Sequence, residues 1–124
     1  MESMIARLQN LSRPQLKPFE LKYCATFMTK LQGLMFRKDL ESHTGALLVE
    51  TQDSVINTTI HMLFMNFDIC TVWIDRSRTV VDVQLARRWH LMYKPQKAAC
   101  LVLETHHQHL NDFKPGDKIG YEII

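Results

Sequence analysis

Between Thr59 and Asp75 the chain reads Thr-Ile-His-Met-Leu-Phe-Met-Asn-Phe-Asp-Ile-Cys-Thr-Val-Trp-Ile-Asp, the longest nearly apolar run in the sequence. A segment of this composition is driven out of water, so the rest of the chain has to cover it. Its second half is rich in β-branched and aromatic residues and closes on the turn-like Asp75-Arg76-Ser77-Arg78, which predicts strand rather than helix. At roughly 17 residues the run is too long for one ordinary strand and short of a membrane span of about 20. His61, Asn66 and Asp68 interrupt it, which predicts two strands broken near Asn66-Phe67-Asp68. Thr79 to Leu85 then alternates: Val81, Val83 and Leu85 lie on one side, Val80, Asp82 and Gln84 on the other. That pattern predicts a hairpin partner with one wet face.

A chain of 124 residues suffices for one domain, burying roughly two thirds of the surface that its unfolded form exposes. Its 46% hydrophobic and 23% charged content are those of an ordinary folded domain, and a formal charge of +2 provides no basic field for nucleic acid. Cys24, Cys70 and Cys100 are odd in number, widely spaced and set among apolar neighbours. This is the pattern of buried reduced thiols and of a reducing compartment. Residues Met1 to Arg7 lack the apolar core of a signal peptide, so a cytoplasmic location without a membrane partner is expected.

Along the chain, residues 1–18 hold Arg13-Pro14 and Lys17-Pro18 and read as an N-terminal arm with room for one short strand near its start. Residues 19–124 read as a single β-rich domain. Phe19 to Tyr23 alternates as a strand. Ala25, Met28, Leu31 and Met35 then recur at helical spacing, which predicts a helix of about ten residues with Thr26 as N-cap. Gly33 inside it marks close approach of a neighbouring backbone or an early end to the helix. Gly45 to Val49 is a short buried strand, and Thr51 to Asn57 a polar loop. Arg87 to Pro95 is an exposed connection, and Ala98 to Glu104, apolar on both faces, a central strand. His106 to Phe113 has room for one helical turn, and Ile119, Tyr121 and Ile123 share a face of a last strand. The fold class is therefore α+β, mainly β: a small barrel-like sheet of roughly six to eight strands with one or two short helices, since closure removes exposed edges.

Leu31-Gln32-Gly33-Leu34-Met35-Phe36-Arg37, Gly45-Ala46-Leu47-Leu48, Ile60 to Met65 leading to Trp73-Ile74-Asp75, Leu101-Val102-Leu103-Glu104 and Pro115-Gly116-Asp117 follow one another in the order and spacing of known sequence blocks. Together they resemble the domain of unknown function 192 family, from about Leu21 to the C-terminus. That resemblance implies small prokaryotic proteins with a compact β-barrel-like fold and no established activity. It also implies that Gly116 takes a positive φ while Asp117 bonds nearby backbone amides, with a catalytic Asp117 as the alternative. Asn66, Asp68 and Cys70 depart from the family's central block, as do His106-His107-Gln108-His109 after Glu104.

Four residues are candidates for a ligand site: Arg37 as an anion clamp, His61 as a neutral hydrogen-bonding partner, Met65 and Glu104. They suggest a non-enzymatic binding module for a small polar or anionic ligand, in a cleft between the Gly33–Arg37 helix end and the central hairpin. No Gly-rich phosphate loop, nucleophile elbow or His-Glu-x-x-His is present, and no catalytic residue, metal ligand or cofactor is assigned. Two alternatives stand beside this reading. One is a structural or interaction protein whose apolar central strands extend across a homodimer interface. The other is a metal-dependent enzyme using His61 with soft Met62, Met65 and Cys70, or using His106, His107 and His109 with Glu104 or His90. Arg37, Arg87, Arg88 and Trp89 form a further basic and aromatic group, and Glu50 and Glu104 are the carboxylates placed to be partly buried, with Arg37 as a salt-bridge partner.

Overall fold

The computed structural model describes residues 4–124, with the side chains of Phe27 and Met28 outside the description. Met28's expected place on a helix face, like the reading of Met1 to Ser3, therefore falls outside the described residues. The elements are β1 (Ile5–Asn10), β2 (Phe19–Cys24), α1 (Phe27–Gln32), β3 (Thr44–Ser54), β4 (Ile69–Ile74), β5 (Val80–Ala86), β6 (Ala99–His106), a 3-10 turn (His107–His109) and β7 (Ile119–Ile123). They build one seven-stranded sheet in the order β5-β4-β6-β3-β2-β1-β7. Among the described residues only β2 and β3 pair in parallel, and α1 lies on the crossover between them. The segment read as an arm contributes β1, which is bonded on both sides, to β2 and to β7.

The sheet curls until its two edges meet at one end. Val80 donates its amide to Asp117, Gly116 to Val80 and Ile119 to Arg78, at 2.8 to 2.9 Å, and Thr79 bridges Lys118. The result is a half-closed barrel, open along the rest of β5 and β7. Asp117 anchors the closure, accepting from Asn10 Nδ2, Arg13 Nε and the Lys114 amide, and Gly116 turns the chain at φ 98°. Burial favours the neutral acid, but those donors outweigh it and hold Asp117 below its ordinary carboxylate value.

Because β4 and β6 are buried on both faces, two cores form. Inside the curl lie Leu8, Phe19, Leu21, Leu47, Val72, Leu101 and Leu103. Across the sheet lie Ala46, Leu48, Ile69, Trp73 and Val102, covered by Leu34 from the helix end and by Ile60, Met62 and Met65. The first half of the long apolar run is thus not the strand its composition predicts. Apart from one bridge between Ile60 and Tyr93 it is a looped cover, with Phe64 at φ 62°. Apolar residues that point down from a loop are buried as fully as those in a strand, and composition does not separate the two.

The wet face expected of β5 is corrected as well. A bulge pairs Trp73 with Asp82 and Ile74 with Val80, and Asp82 is only 9% exposed. Its carboxylate accepts from the amides of Val83 and Gln96 and from Gln84 Nε2, so burial leaves it fully bonded. Polar Thr51 to Asp53 continues β3 as exposed strand instead of forming the predicted loop. All three cysteines are buried and free, and burial pushes Cys24 up to about 11 and Cys70 to about 12.

Trp73 is fully buried and its Nε1 donates to the Thr58 carbonyl at 2.7 Å, pinning the cover to the sheet. Trp73→Phe removes that donor and opens a void, and is expected to cost about 2–4 kcal/mol in urea denaturation. A loss under about 1 kcal/mol sets this pin aside as a determinant of stability.

Candidate functional site

α1 opens on a capping box: Thr26 Oγ1 accepts from the Thr29 amide while Thr29 Oγ1 accepts from the Thr26 amide. It closes early at Gly33, whose φ of 42° and ψ of −116° suit no larger residue. The helix is therefore six residues long, its expected Leu31 is 43% exposed, and Leu34 beyond its end takes the buried place instead. Gly33 sits over β6, where a Cβ would come 3.2 Å from Glu104 Oε1. From the neighbouring strand, a side chain at Gly45 would collide with the Glu104 carbonyl. Gly45 is required by the close approach of the Glu104 backbone, and Gly33 by its positive φ.

Between the helix end, β3, β6 and the 57–65 cover lies a cavity of about 310 Å³. Leu34, Leu48, Ile60, Met65 and Val102 give it apolar walls, and Glu50, Glu104, Lys30, His61, Asn57 and Thr59 its polar points. Lys30 Nζ is bonded to Glu50 Oε2. The Leu63 amide donates to His61 Nδ1 at 3.2 Å, so the neutral ring carries its proton on Nε2. Glu104 is 6% exposed, and among the described residues no group donates a hydrogen bond to its carboxyl. Its cross-strand neighbour Thr71 holds a buried hydroxyl that lacks a partner among the described residues. Burial without compensating donors pushes the Glu104 acid up to about 7.

Three of the four candidates, His61, Met65 and Glu104, line this one cavity. Arg37 does not; it lines a separate surface depression with Glu20, Lys22, Lys38 and Glu41. Glu50 pairs with Lys30 rather than with Arg37. Lys30 was not singled out in the sequence, although it precedes Gly33 by three residues and so shares its side of the helix.

The histidine cluster has other work. His109 is 2% exposed, its Nδ1 donates to Asp112 at 2.9 Å and its Nε2 accepts the His43 amide at 3.3 Å, leaving no lone pair for a metal. His106 Nδ1 accepts the Gln108 amide. Among the described residues no group of three or more His, Cys, Asp or Glu is placed to hold a metal ion, and no helix is long and apolar enough to cross a membrane.

Beside the cavity three loops meet in an aromatic cluster. Phe36 packs on Phe64 with ring centroids 5.1 Å apart, and Phe64 on Trp89 at 5.3 Å. All three have φ between 62° and 67°, a region that bulky residues rarely occupy, and Phe36 is 68% exposed.

A half-closed β-barrel with a helix-capped, carboxyl-bearing cavity is the class of protein that this geometry defines. The sequence profile of the uncharacterised family designated DUF192 matches residues 8–121, and the chain belongs to that family. It is 38% identical over 85 residues to a UPF0127 protein of Thermococcus kodakarensis, covering 68% of this chain and 52% of the relative. A UPF0127 protein of Thermococcus gammatolerans is 33% identical over 79% of this chain and 63% of its own length, so the chain spans about half to two thirds of these relatives. A Pyrococcus horikoshii UPF0127 protein is 32% identical over 82% of this chain and 87% of its own. The fold is similar to that of a Sinorhizobium meliloti protein provisionally described as a transcription regulator, with TM-score 0.82, 16% identity, and 97% and 94% of the two chains covered. It is also similar to a Novosphingobium aromaticivorans protein of unknown function, with TM-score 0.75, 17% identity, and 95% and 84% covered.

The Glu104 acid has an ordinary value of 4.5 when unfolded and about 7 when folded, so the native state binds the proton more tightly. Its contribution to stability is complete below pH 4.5, is lost as pH rises to 7, and is level above that. That difference in proton affinity corresponds to about 3 kcal/mol. Glu104→Gln is therefore expected to match the wild type near pH 4 and to exceed it by up to about 3 kcal/mol at pH 8 in paired urea titrations. Equal stability at both pH values removes the carboxyl from this role.

Proposed function

We propose that the chain is a non-enzymatic binding module for a small polar ligand held in the helix-capped cavity. The observation that carries this reading is the Glu104 carboxyl, on a residue only 6% exposed at the cavity wall, to which no group among the described residues donates. A buried acid left unbonded costs stability unless something else bonds it, and ligand pockets combine apolar walls with a few convergent polar groups. The polar form of the ligand is better supported than the anionic one, since Lys30 is engaged by Glu50 and Arg37 lies outside the cavity. Three buried free thiols support a reducing, cytoplasmic location. A thermal-shift panel of sugars, amino acids, amines and carboxylates is expected to contain a compound that raises the melting temperature of the wild type but not of Glu104→Gln. A panel without any such compound counts against the reading.

One observation favours the interaction reading as a second possibility. Phe36, Phe64 and Trp89 form an exposed aromatic ridge, with Leu91 and Met92 exposed just after it. Exposed apolar groups of this kind mark contact surfaces. The apolar central strands themselves are interior, so a homodimer would form through this ridge. Sedimentation equilibrium is expected to show a dimer in the wild type that weakens at least tenfold in the double variant Phe36→Ser, Trp89→Ser. A wild type that stays monomeric at high concentration ends this second reading.

A further inference from the structure

Resting on the binding reading above, we infer that the cavity takes an organic ammonium ion, a primary amine on a short apolar body, with Glu104 as its counter-ion. Charge balance points there first. The cavity holds two carboxyls, Glu50 and Glu104, and one ammonium, Lys30, which is already committed to Glu50. A carboxylate ligand would meet Glu104 in a setting of low dielectric with no unpaired ammonium or guanidinium among the described lining residues to offset the repulsion. An alcohol would gain a hydrogen bond but leave the charge uncompensated. An ammonium ion supplies both the donor that Glu104 lacks and the missing positive charge.

Shape agrees with charge. Leu34, Leu48, Met65 and Val102 form the apolar walls, suited to a short hydrocarbon chain. The absence of a side chain at Gly33 keeps the approach to Glu104 Oε1 open. His61 lines the same cavity as a second polar point for the ligand.

Binding an ammonium ion requires Glu104 as carboxylate, so a proton leaves the protein when the ligand enters at or below neutral pH. The groups that face Glu104 are Lys30 from α1, Glu50 from β3, His61 from the cover and the Cys24 thiol from β2. The variant Glu104→Gln isolates the carboxyl's contribution from those of these neighbours. With Glu104 titrating at about 7, ligand affinity in the wild type falls about tenfold from pH 8 to pH 6.

Two-dimensional NMR titration of the full chain with butylammonium chloride, butanol and sodium butyrate at pH 8 tests this. Butylammonium is expected to shift the Gly33, Thr58 and Thr59 amides saturably, to bind at least tenfold tighter than the other two, and to lose at least tenfold in Glu104→Gln together with the steeper part of its pH dependence. Butanol or butyrate binding as tightly, or an unchanged affinity in Glu104→Gln, overturns the ammonium assignment and leaves the cavity a binding site. Amides that stay still with all three probes overturn it as well, and the wider panel then decides the binding reading on its own.

Discussion

One buried indole nitrogen ties the looped 57–65 cover to the sheet. Trp73 stands next to the end of β4, on the face of the sheet turned away from the curl, and its hydrogen bond to the Thr58 carbonyl is wholly buried. In that setting neither partner can exchange its bond for one with water, so the loop is held in one place on the strand. The cavity follows from that placement. Its floor is β3 and β6, and its walls are the cover that Trp73 holds down and the helix end that Gly33 cuts short.

The same cover explains why an acid can persist in an apolar layer. Glu104 lies on the central strand between β3 and β4, and alternation along β6 turns it to the covered face together with Val102. Had the face been packed solid, the carboxyl would need an internal donor; the cavity lets it stay unbonded at an energetic cost. Among the described residues the hydroxyl of Thr71, its neighbour on β4, is the buried side-chain atom without a partner, whereas the Glu104 carboxyl lies at the cavity wall. Asp82 makes the contrast, since it is buried to a similar degree yet accepts from three donors.

Much of the architecture was legible in the linear pattern. Alternation at Phe19 to Tyr23, two-sided apolarity at Ala98 to Glu104 and the Pro115-Gly116-Asp117 turn each reflect local rules that tertiary packing reinforced. His61 and Glu104 stand out in the sequence as an imidazole and a carboxyl inside apolar runs, Met65 falls in the same run as His61, and all three line the one cavity. Arg37 could not be placed, since a long side chain after a turn can go to either side and no local rule decides. His109 looked like part of a solvated turn or a metal ligand, and only the approach of His43, Phe19 and Asp112 shows it to be a bonded interior ring. Lys30 became visible only once its carboxylate partner arrived from another strand.

Composition and periodicity alone determined that the chain is one mainly-β domain, that its thiols are interior and that Gly33 and Gly116 interrupt regular structure. Those properties depend on neighbours in sequence, on hydrophobic period and on backbone sterics. Tertiary structure decided that Ile60 to Met65 is a cover instead of a strand, that the bulge in β5 buries Asp82, and that Lys30, Glu50, His61 and Glu104 share one cavity. These depend on which distant surfaces meet, and hydrophobicity is non-directional: it requires that an apolar segment be buried and leaves open what it is buried against.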